Sequence, residues 1–341
     1  MPTRLLSRAV LKVRRKVRKA LFAPVDALAA RVAARTSVAQ QRALLGAIAA
    51  RQVQSVRSIQ SLADIEFQVF SQWGEDGVIE SLVDKLKGVP ETFIEFGVEN
   101  YGEANTRFLM CHRNWRALVF DRSRANVESI KADGIYWRHD LLARAAFITA
   151  ENINQLIVEA GFQGDIGLLS IDVDGNDYWI WKAIDAVTPH IVIMEYNAVL
   201  GDLLPLTIPY AASFRLHAAH KSGLYFGASI RALCELAHDK GYTFIGTGRS
   251  GCNAFFVRND RASALQGLIE RHIAWASRFR SSRDDDRKPT FISGAARRLA
   301  IQDCLVTDVS TGRTDRLGAF DPIYSQNWLE QMDGKPAQFG R

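Results

Sequence analysis

At 341 residues, with 48% hydrophobic and 23% charged side chains, the chain has enough apolar material for one large domain with appendages and too much for an intrinsically disordered protein. Its apolar runs stay shorter than the roughly 18 residues that a membrane-spanning helix needs, and arginines and lysines break the amino terminus where a secretory signal would be an apolar block. The net charge of +6 is unevenly held: residues 1–60 contain thirteen Lys or Arg against a single acid, Asp26, so they carry +12 and the remainder carries −6, a basic arm on a mildly acidic body.

In the arm, Leu6, Val10, Val13, Val17 and Leu21 recur at three and four residues while Arg4, Arg8, Lys12, Arg15 and Lys19 fill another face, the pattern of a basic amphipathic helix. Residues 1–22 are therefore expected either to lie on an anionic membrane surface or to pack on the body or on a second copy as a homo-oligomer. A transit peptide shares this Arg-rich, acid-poor composition. Nucleic-acid binding is not expected, because no basic stripe with stacking aromatics continues into the body. Pro24 to Ala63 is rich in Ala, Arg, Gln and Val, which favours helix, so residues 1–65 read as a basic helical extension. Four widely spaced cysteines, Cys111, Cys234, Cys252 and Cys304, suggest neither a zinc site nor a disulfide framework and fit a reducing cytosol. The expected location is cytoplasmic, with the arm offering a peripheral hold on the inner membrane face.

The body begins with Phe70-Ser-Gln-Trp-Gly-Glu-Asp-Gly-Val-Ile-Glu80, a turn leading into an apolar-sided helix and a segment placed to lie beside a cofactor mouth through Gln72. Strands then alternate with helices. Thr92–Gly97 is followed by a helix over Glu103–Met110, Ala117–Asp121 by Ser123–Ala132, Ile135–Asp140 by Thr149–Ala160, and Ile166–Asp172 by a helix from Asp177 towards Ile184. His190–Glu195 is the fifth strand. This order predicts a doubly wound, mostly parallel sheet. After a helix over Ser229–Lys240, Tyr242–Gly246 and Ala254–Val257 are joined by too short a turn for a parallel crossover, so the seven-stranded sheet ends in an antiparallel hairpin. That ending marks the Rossmann-like class I methyltransferase sheet rather than a plain dinucleotide domain. Residues 66–260 form this domain, and residues 261–341 a carboxyl-terminal appendage with a hairpin within Cys304–Leu317.

Chemistry gathers at the strand ends. Glu95 and Gly97 open a glycine loop ending at Gly102, where backbone can approach a ligand and Glu95 can hold the ammonium of an amino-acid ligand. Asp121, 24 residues after Gly97, can accept ribose hydroxyls of either NAD or S-adenosylmethionine, and Asp140 stands where an acid accepts an adenine amino group. Asp172 and Asp174 in Leu168–Asp177 fall beside Glu195 and Asn197, an oxygen set suited to Mg2+ or Mn2+. The metal-free alternative has Asp172 or Asp174 gripping the ammonium and Glu195 a substrate hydroxyl. Asp177 reads as a helix cap. His217 and His220, in a segment expected to cover the substrate, are further general-base candidates beside the carboxylates. Tyr178, Trp179, Trp181 and Tyr196 are placed either to stack on a sugar or to fill the core.

The succession Ser71-Gln-Trp-Gly-Glu-Asp76, Phe93-Ile-Glu-Phe-Gly97, Ser170-Ile-Asp-Val-Asp-Gly175, Val192-Ile-Met-Glu195 and Gly251-Cys-Asn-Ala-Phe-Phe-Val257 resembles the FkbM-like methyltransferases over roughly residues 68–258. The resemblance implies an S-adenosylmethionine-dependent enzyme acting on hydroxyls of saccharides or natural products. The competing readings are a nicotinamide-dependent Rossmann oxidoreductase and a membrane-tethered scaffold that keeps the fold without turnover.

Overall fold

The computed structural model describes residue 38 and residues 40–334, and the amphipathic helix expected over residues 1–22 lies outside them. The chain divides into two compact units, Met1–Ile48 and Ala49–Arg341. The described residues of the first, 38 and 40–48, are helical, and the second holds the sheet. No helix among the described residues is long and apolar enough to cross a membrane.

The sheet expected from the sequence is present. Its strands are β1 (Thr92–Phe96), β2 (Arg116–Asp121), β3 (Leu141–Ala145), β4 (Gly164–Ile171), β5 (Val187–Glu195), β7 (Tyr242–Thr247) and β8 (Asn253–Arg258), in the spatial order β3-β2-β1-β4-β5-β8-β7. A separate two-residue strand, β6 (Leu206–Thr207), pairs elsewhere. β1 to β5 are parallel, and β8 lies antiparallel between β5 and β7. The strand order reverses at β1 and β4, which opens a crevice at their carboxyl ends.

Period-two alternation sends neighbouring residues to opposite faces. Phe93, Val119, Leu168 and Ile193 join one core with α1 (Glu75–Leu86), α2 (Arg107–Arg113) and α3 (Arg124–Ala132). Ile94, Phe120, Leu169 and Met194 join the other, covered by α5 (Ile153–Glu159), α6 (Asp177–Ala183) and α7 (Ile230–Asp239). Both faces are apolar because both are covered.

The third strand corrects the sequence reading. Ile135–Asp140 is not a strand: Gly134–Arg138 is a short helix, α4, opened by Asp133, whose carboxylate accepts the Ile135 N–H at 2.9 Å. The aromatic pair Tyr136-Trp137 imitates strand composition, yet Trp137 is exposed. The strand begins at Leu141, where buried Leu141 and Ala143 alternate with more exposed neighbours. The helix expected over Glu103–Met110 also starts later, at Arg107, because Glu95 accepts the N–H groups of Asn105 and Thr106 and holds the preceding residues out of the helix.

Beyond β8 the chain packs back on the domain. Trp328 and Met332 of α8 (Gln326–Met332) enter the second core, and β9 (Leu305–Asp308) pairs with β6 and with β10 (Thr314–Arg316), closing the hairpin expected there.

Candidate functional site

Strand register assembles the site. Phe96 pairs with Ile171, and Ile171 with Met194, so one step further along each strand Gly97, Asp172 and Glu195 fall side by side. Gly97 has φ +77°, and a β-carbon there would lie 1.6 Å from the Asp172 carbonyl oxygen. Only glycine lets the two strand ends approach this closely. Glu195 also pairs across to Asn253 of β8.

The Ser71–Asp76 turn is built by its own acids. Asp76 Oδ2 accepts the N–H groups of Val69, Phe70 and Ser71 and the Ser71 hydroxyl at 2.6–2.9 Å. Glu75 accepts from Trp73 N and Gly74 N and, through its other oxygen, from Asn253 Nδ2 at 2.9 Å. The turn is thereby tied to β8 with Gln72 and Trp73 facing a ligand space.

Two cavities adjoin at these strand ends. The first, about 460 Å3, is lined by Glu95 and Gly97–Glu99 after β1, Asp121–Ser123 after β2, Ala146–Ile148 after β3, and Asp172–Asp174 after β4. The second, about 320 Å3, is lined by Trp73, Tyr196–Val199, Phe279 and Arg297. Gln72, Asp174, Glu195 and Leu216 line both. Over the junction, Phe214 packs so close to Gly175 that a β-carbon there would lie 2.2 Å from its ring. The Phe214 segment is held by Asn176 Nδ2 donating to Ala211 O at 2.9 Å and by the Tyr210 hydroxyl donating to Glu151 at 2.6 Å.

Four acids lie near the junction, Asp177 and Glu95 buried and Asp172 and Glu195 half-buried. Oxygens of Asp172, Asp177 and Glu195 come within 4.8 Å of one another. Burial, and then repulsion from neighbouring carboxylates (Asp177 first for Asp172, Asp172 first for Glu195), push both well above the usual carboxylate range. No donor among the described residues reaches Glu195 Oε2, and the neighbouring Asp172 carboxyl raises Glu195 further towards its protonated form. Asp177, pushed by burial to about 6, accepts from Val173 N and Gly175 N at 2.8 and 2.9 Å. It therefore clasps its own loop as well as facing the pair.

Glu95 is the fourth. Burial pushes it from 4.5 up to about 7 against the opposing pull of donors from Thr106 and Asn105. Its folded value lies above the unfolded one, so its stabilising contribution is full below 4.5 and lost as pH rises towards 7. Glu95→Gln carries no such charge. The stability gap between wild type and variant should therefore narrow by about 3 kcal/mol between about pH 4 and pH 8. Denaturant unfolding across that range measures it, and a gap that widens with pH would contradict the sign.

Other residues stand differently from expectation. Asp121 lines the first cavity, but its Oδ1 accepts from Ser123 N and Asn126 Nδ2 and its Oδ2 from Glu99 N, at 2.7–3.0 Å. About one of a carboxylate's roughly four lone-pair positions is left for a ligand, so Asp121 shapes the Glu99 turn as much as it offers an acceptor. Asp140 precedes β3 and pairs with Arg116 at 3.6 Å at the amino ends of the strands, away from the cavity, because the strand starts later than read; the adenine role expected for it has no geometric basis. Ala146, Phe147 and Ile148 line the cavity there instead. Gly102 is exposed and lines neither cavity.

Asn197 is spent on structure: its Nδ2 donates to Leu224 O and Phe226 O, and its Oδ1 accepts from Val199 N. The carboxylates that converge are Asp172, Asp177 and Glu195, with Asp177 in the place expected for Asp174. His217 is exposed, His220 bonds Ser222 Oγ at 2.7 Å, and neither lines a cavity. Tyr178 and Trp181 are core residues, Trp179 donates to Ile208 O, and Tyr196 lines the second cavity with its hydroxyl donating to Trp275 O.

No family model matches the chain, and no curated protein matches it. Among solved structures it is similar to the N-terminal domain of EvdMO1 with SAH bound, at TM-score 0.39 and 11% identity over 66% of this chain and 96% of that one. It is similar to a S-adenosylmethionine-dependent methyltransferase from Clostridium acetobutylicum, at TM-score 0.35 and 10% identity over 54% of this chain and 90% of that one. It is also similar to an O-methyltransferase from Bacillus cereus in complex with SAH, at TM-score 0.30 and 14% identity over 51% of this chain and 76% of that one. These likenesses are too distant to carry an activity, and the fold rests on the strand order itself.

Several cavity residues escaped the sequence reading: Glu99, Asn126, Phe147, Trp73 and Arg297. Glu99, with φ +48°, had a signal in its place inside the glycine loop. Arg297 had none, since it follows the last sheet strand by a long irregular segment.

Proposed function

We propose that the chain is a S-adenosylmethionine-dependent methyltransferase acting on a hydroxyl of a saccharide or related metabolite, in the manner of the FkbM-like enzymes it resembles. The observation that carries this reading is the pair of adjoining cavities, one at the strand ends where the sheet order reverses and the other sharing Gln72, Asp174 and Glu195 with it. S-adenosylmethionine, when bound, supplies an electrophilic methyl group.

The residues supply placement and a proton acceptor. Gly97 lets backbone form the wall between β1 and β4, Asp121 fixes the Glu99 turn, and Ala146–Ile148 give the first cavity an apolar end suited to a base. Orientation across the junction supplies most of the rate. The Asp172–Glu195 pair holds one proton, and its ionised partner takes the hydroxyl proton of the acceptor. In the alternative with a hard divalent cation, Asp172 and Glu195, with Asp177 behind them, would give up that proton and hold the cation, which would polarise the hydroxyl.

Calorimetry with S-adenosylmethionine and with NADH tests the reading. Binding of S-adenosylmethionine and not NADH is expected; binding of NADH alone would favour the oxidoreductase. Cofactor binding without methyl transfer to any of a panel of glycans would favour the scaffold. Association of residues 1–22 with anionic vesicles, retained by the full chain and lost on their deletion, belongs to the same proposal.

A further inference from the structure

Arg297 is 2% exposed and lines the second cavity. Its Nε donates to Gly294 O at 3.2 Å, Nη1 to Ser277 Oγ at 3.0 Å, and Nη2 to Ser277 O. Three of the five N–H groups of a guanidinium are so placed, all on neutral acceptors. Among the described residues no carboxylate pairs with it, whereas the adjacent Arg298 pairs with Asp321 at 3.0 Å. Burial draws its pKa down. An interior cation without an anion is strongly unfavourable unless something else supplies the opposite charge.

Two further features of this cavity bear on what enters it. Trp73 and Phe279 stack with centroids 5.0 Å apart and planes at 26°, and both line the wall. Trp73 is 42% exposed although the Glu75 carboxylate fixes its backbone, so its indole presents a flat apolar surface to a ligand. The charges are also separated. Asp174 and Glu195 line the junction with the first cavity, and Arg297 lines only the second. An acceptor with one anionic group therefore has one favourable orientation, its anion on Arg297 and its neutral hydroxyls towards Glu195. The volume of about 320 Å3 lies at the small end for ligand sites, which suits one sugar unit rather than a chain.

We propose that the second cavity is the acceptor site for an anionic saccharide, a hexuronic acid or a sugar phosphate, with its ring against Trp73 and Phe279 and its carboxylate or phosphate on Arg297. This rests on the methyltransferase reading for the identity of the adjoining cavity, while the anion preference is measurable without it.

The test is a titration of the full-length chain, with and without saturating SAH, with three probes: D-glucuronate, D-glucose 1-phosphate and D-glucose. Calorimetry reads affinity, and tryptophan fluorescence reports on Trp73. At least one charged probe should bind about tenfold or more tighter than glucose, the scale of a hydrogen bond to a charged group. Which probe gains shows whether carboxylate or phosphate is preferred. Arg297→Gln should bring all three probes within about twofold of one another and leave SAH affinity unchanged. Trp73→Ala should weaken all three alike. Glucose binding as tightly as both charged probes, or no measurable binding of either charged probe, overturns the proposal on wild-type protein alone, whether or not Arg297→Gln folds. Absence of SAH binding in the same titrations would sink the methyltransferase reading and leave the anion preference to be read from the remaining arms.

Discussion

Gly97→Ala should destabilise the domain by more than about 4 kcal/mol and abolish SAH binding. Two costs combine. At φ +77° an alanine sits in the left-handed region, which disfavours L side chains by roughly 1–2 kcal/mol. The larger cost is steric, because the new methyl would lie 1.6 Å from the Asp172 carbonyl oxygen, and backbone on both sides leaves nothing flexible to yield. The carboxyl ends of β1 and β4 would have to part, displacing Asp172 from its place beside Gly97 and disturbing its register with Glu195. Gly102→Ala is the control: its φ is ordinary, and its β-carbon would meet only the Asn100 side chain, at 2.8 Å. It should fall within about 0.5 kcal/mol of wild type. Thermal unfolding and calorimetry with SAH measure both variants. A stable Gly97→Ala that binds SAH normally would refute the close approach of the two strands.

Glu195→Gln should lower the rate of methyl transfer by about 10²–10⁴-fold, the usual contribution of a positioned base, with SAH affinity unchanged within a few-fold. The glutamine amide removes the repulsion between Glu195 and Asp172 and can donate to the latter, so the variant should fold at least as stably as wild type at neutral pH. Wild-type rate should fall on acidification as the pair takes up its second proton. Single-turnover transfer, run with and without EDTA, separates the proton-acceptor role from that of a cation ligand: only the latter makes wild type sensitive to chelation. A loss of SAH binding equal to the loss of rate would instead assign Glu195 to the cofactor.

The parts of this site that were legible in the sequence are those set by strand periodicity. Leu168–Asp172 is an apolar run ending in an acid, and parallel register then carries Asp172 to Glu195 and Gly97. The short connection before Ala254 similarly required an antiparallel strand, and β8 is one. The third strand was misread because composition and capping disagree there: Ile135-Tyr-Trp favours a strand, whereas the Asp133 side chain on the Ile135 N–H starts a helix, and the local hydrogen bond prevailed. That shift alone removes Asp140 from the site. His217 and His220 were placed by chain position, but a covering segment can turn either side inward, and this one turns Phe214 and Leu216 to the cavity. Asp177 looked like a cap and is a loop clasp that also joins the carboxylate group. The second cavity was illegible because Trp73, Phe279 and Arg297 come from segments brought together only by the tertiary fold.

The cavity bounded by Gly97–Glu99, Asp121 and Asp172 is expected to hold the methyl donor beside the Asp172–Glu195 pair. A crystal structure of the full-length chain grown with SAH tests it most directly. SAH is expected along these residues, with its sulfur end towards Gln72 and Glu195 and the second cavity left open. Saturating SAH bound elsewhere on the chain, or bound across the second cavity with Arg297 against its carboxylate, would contradict it.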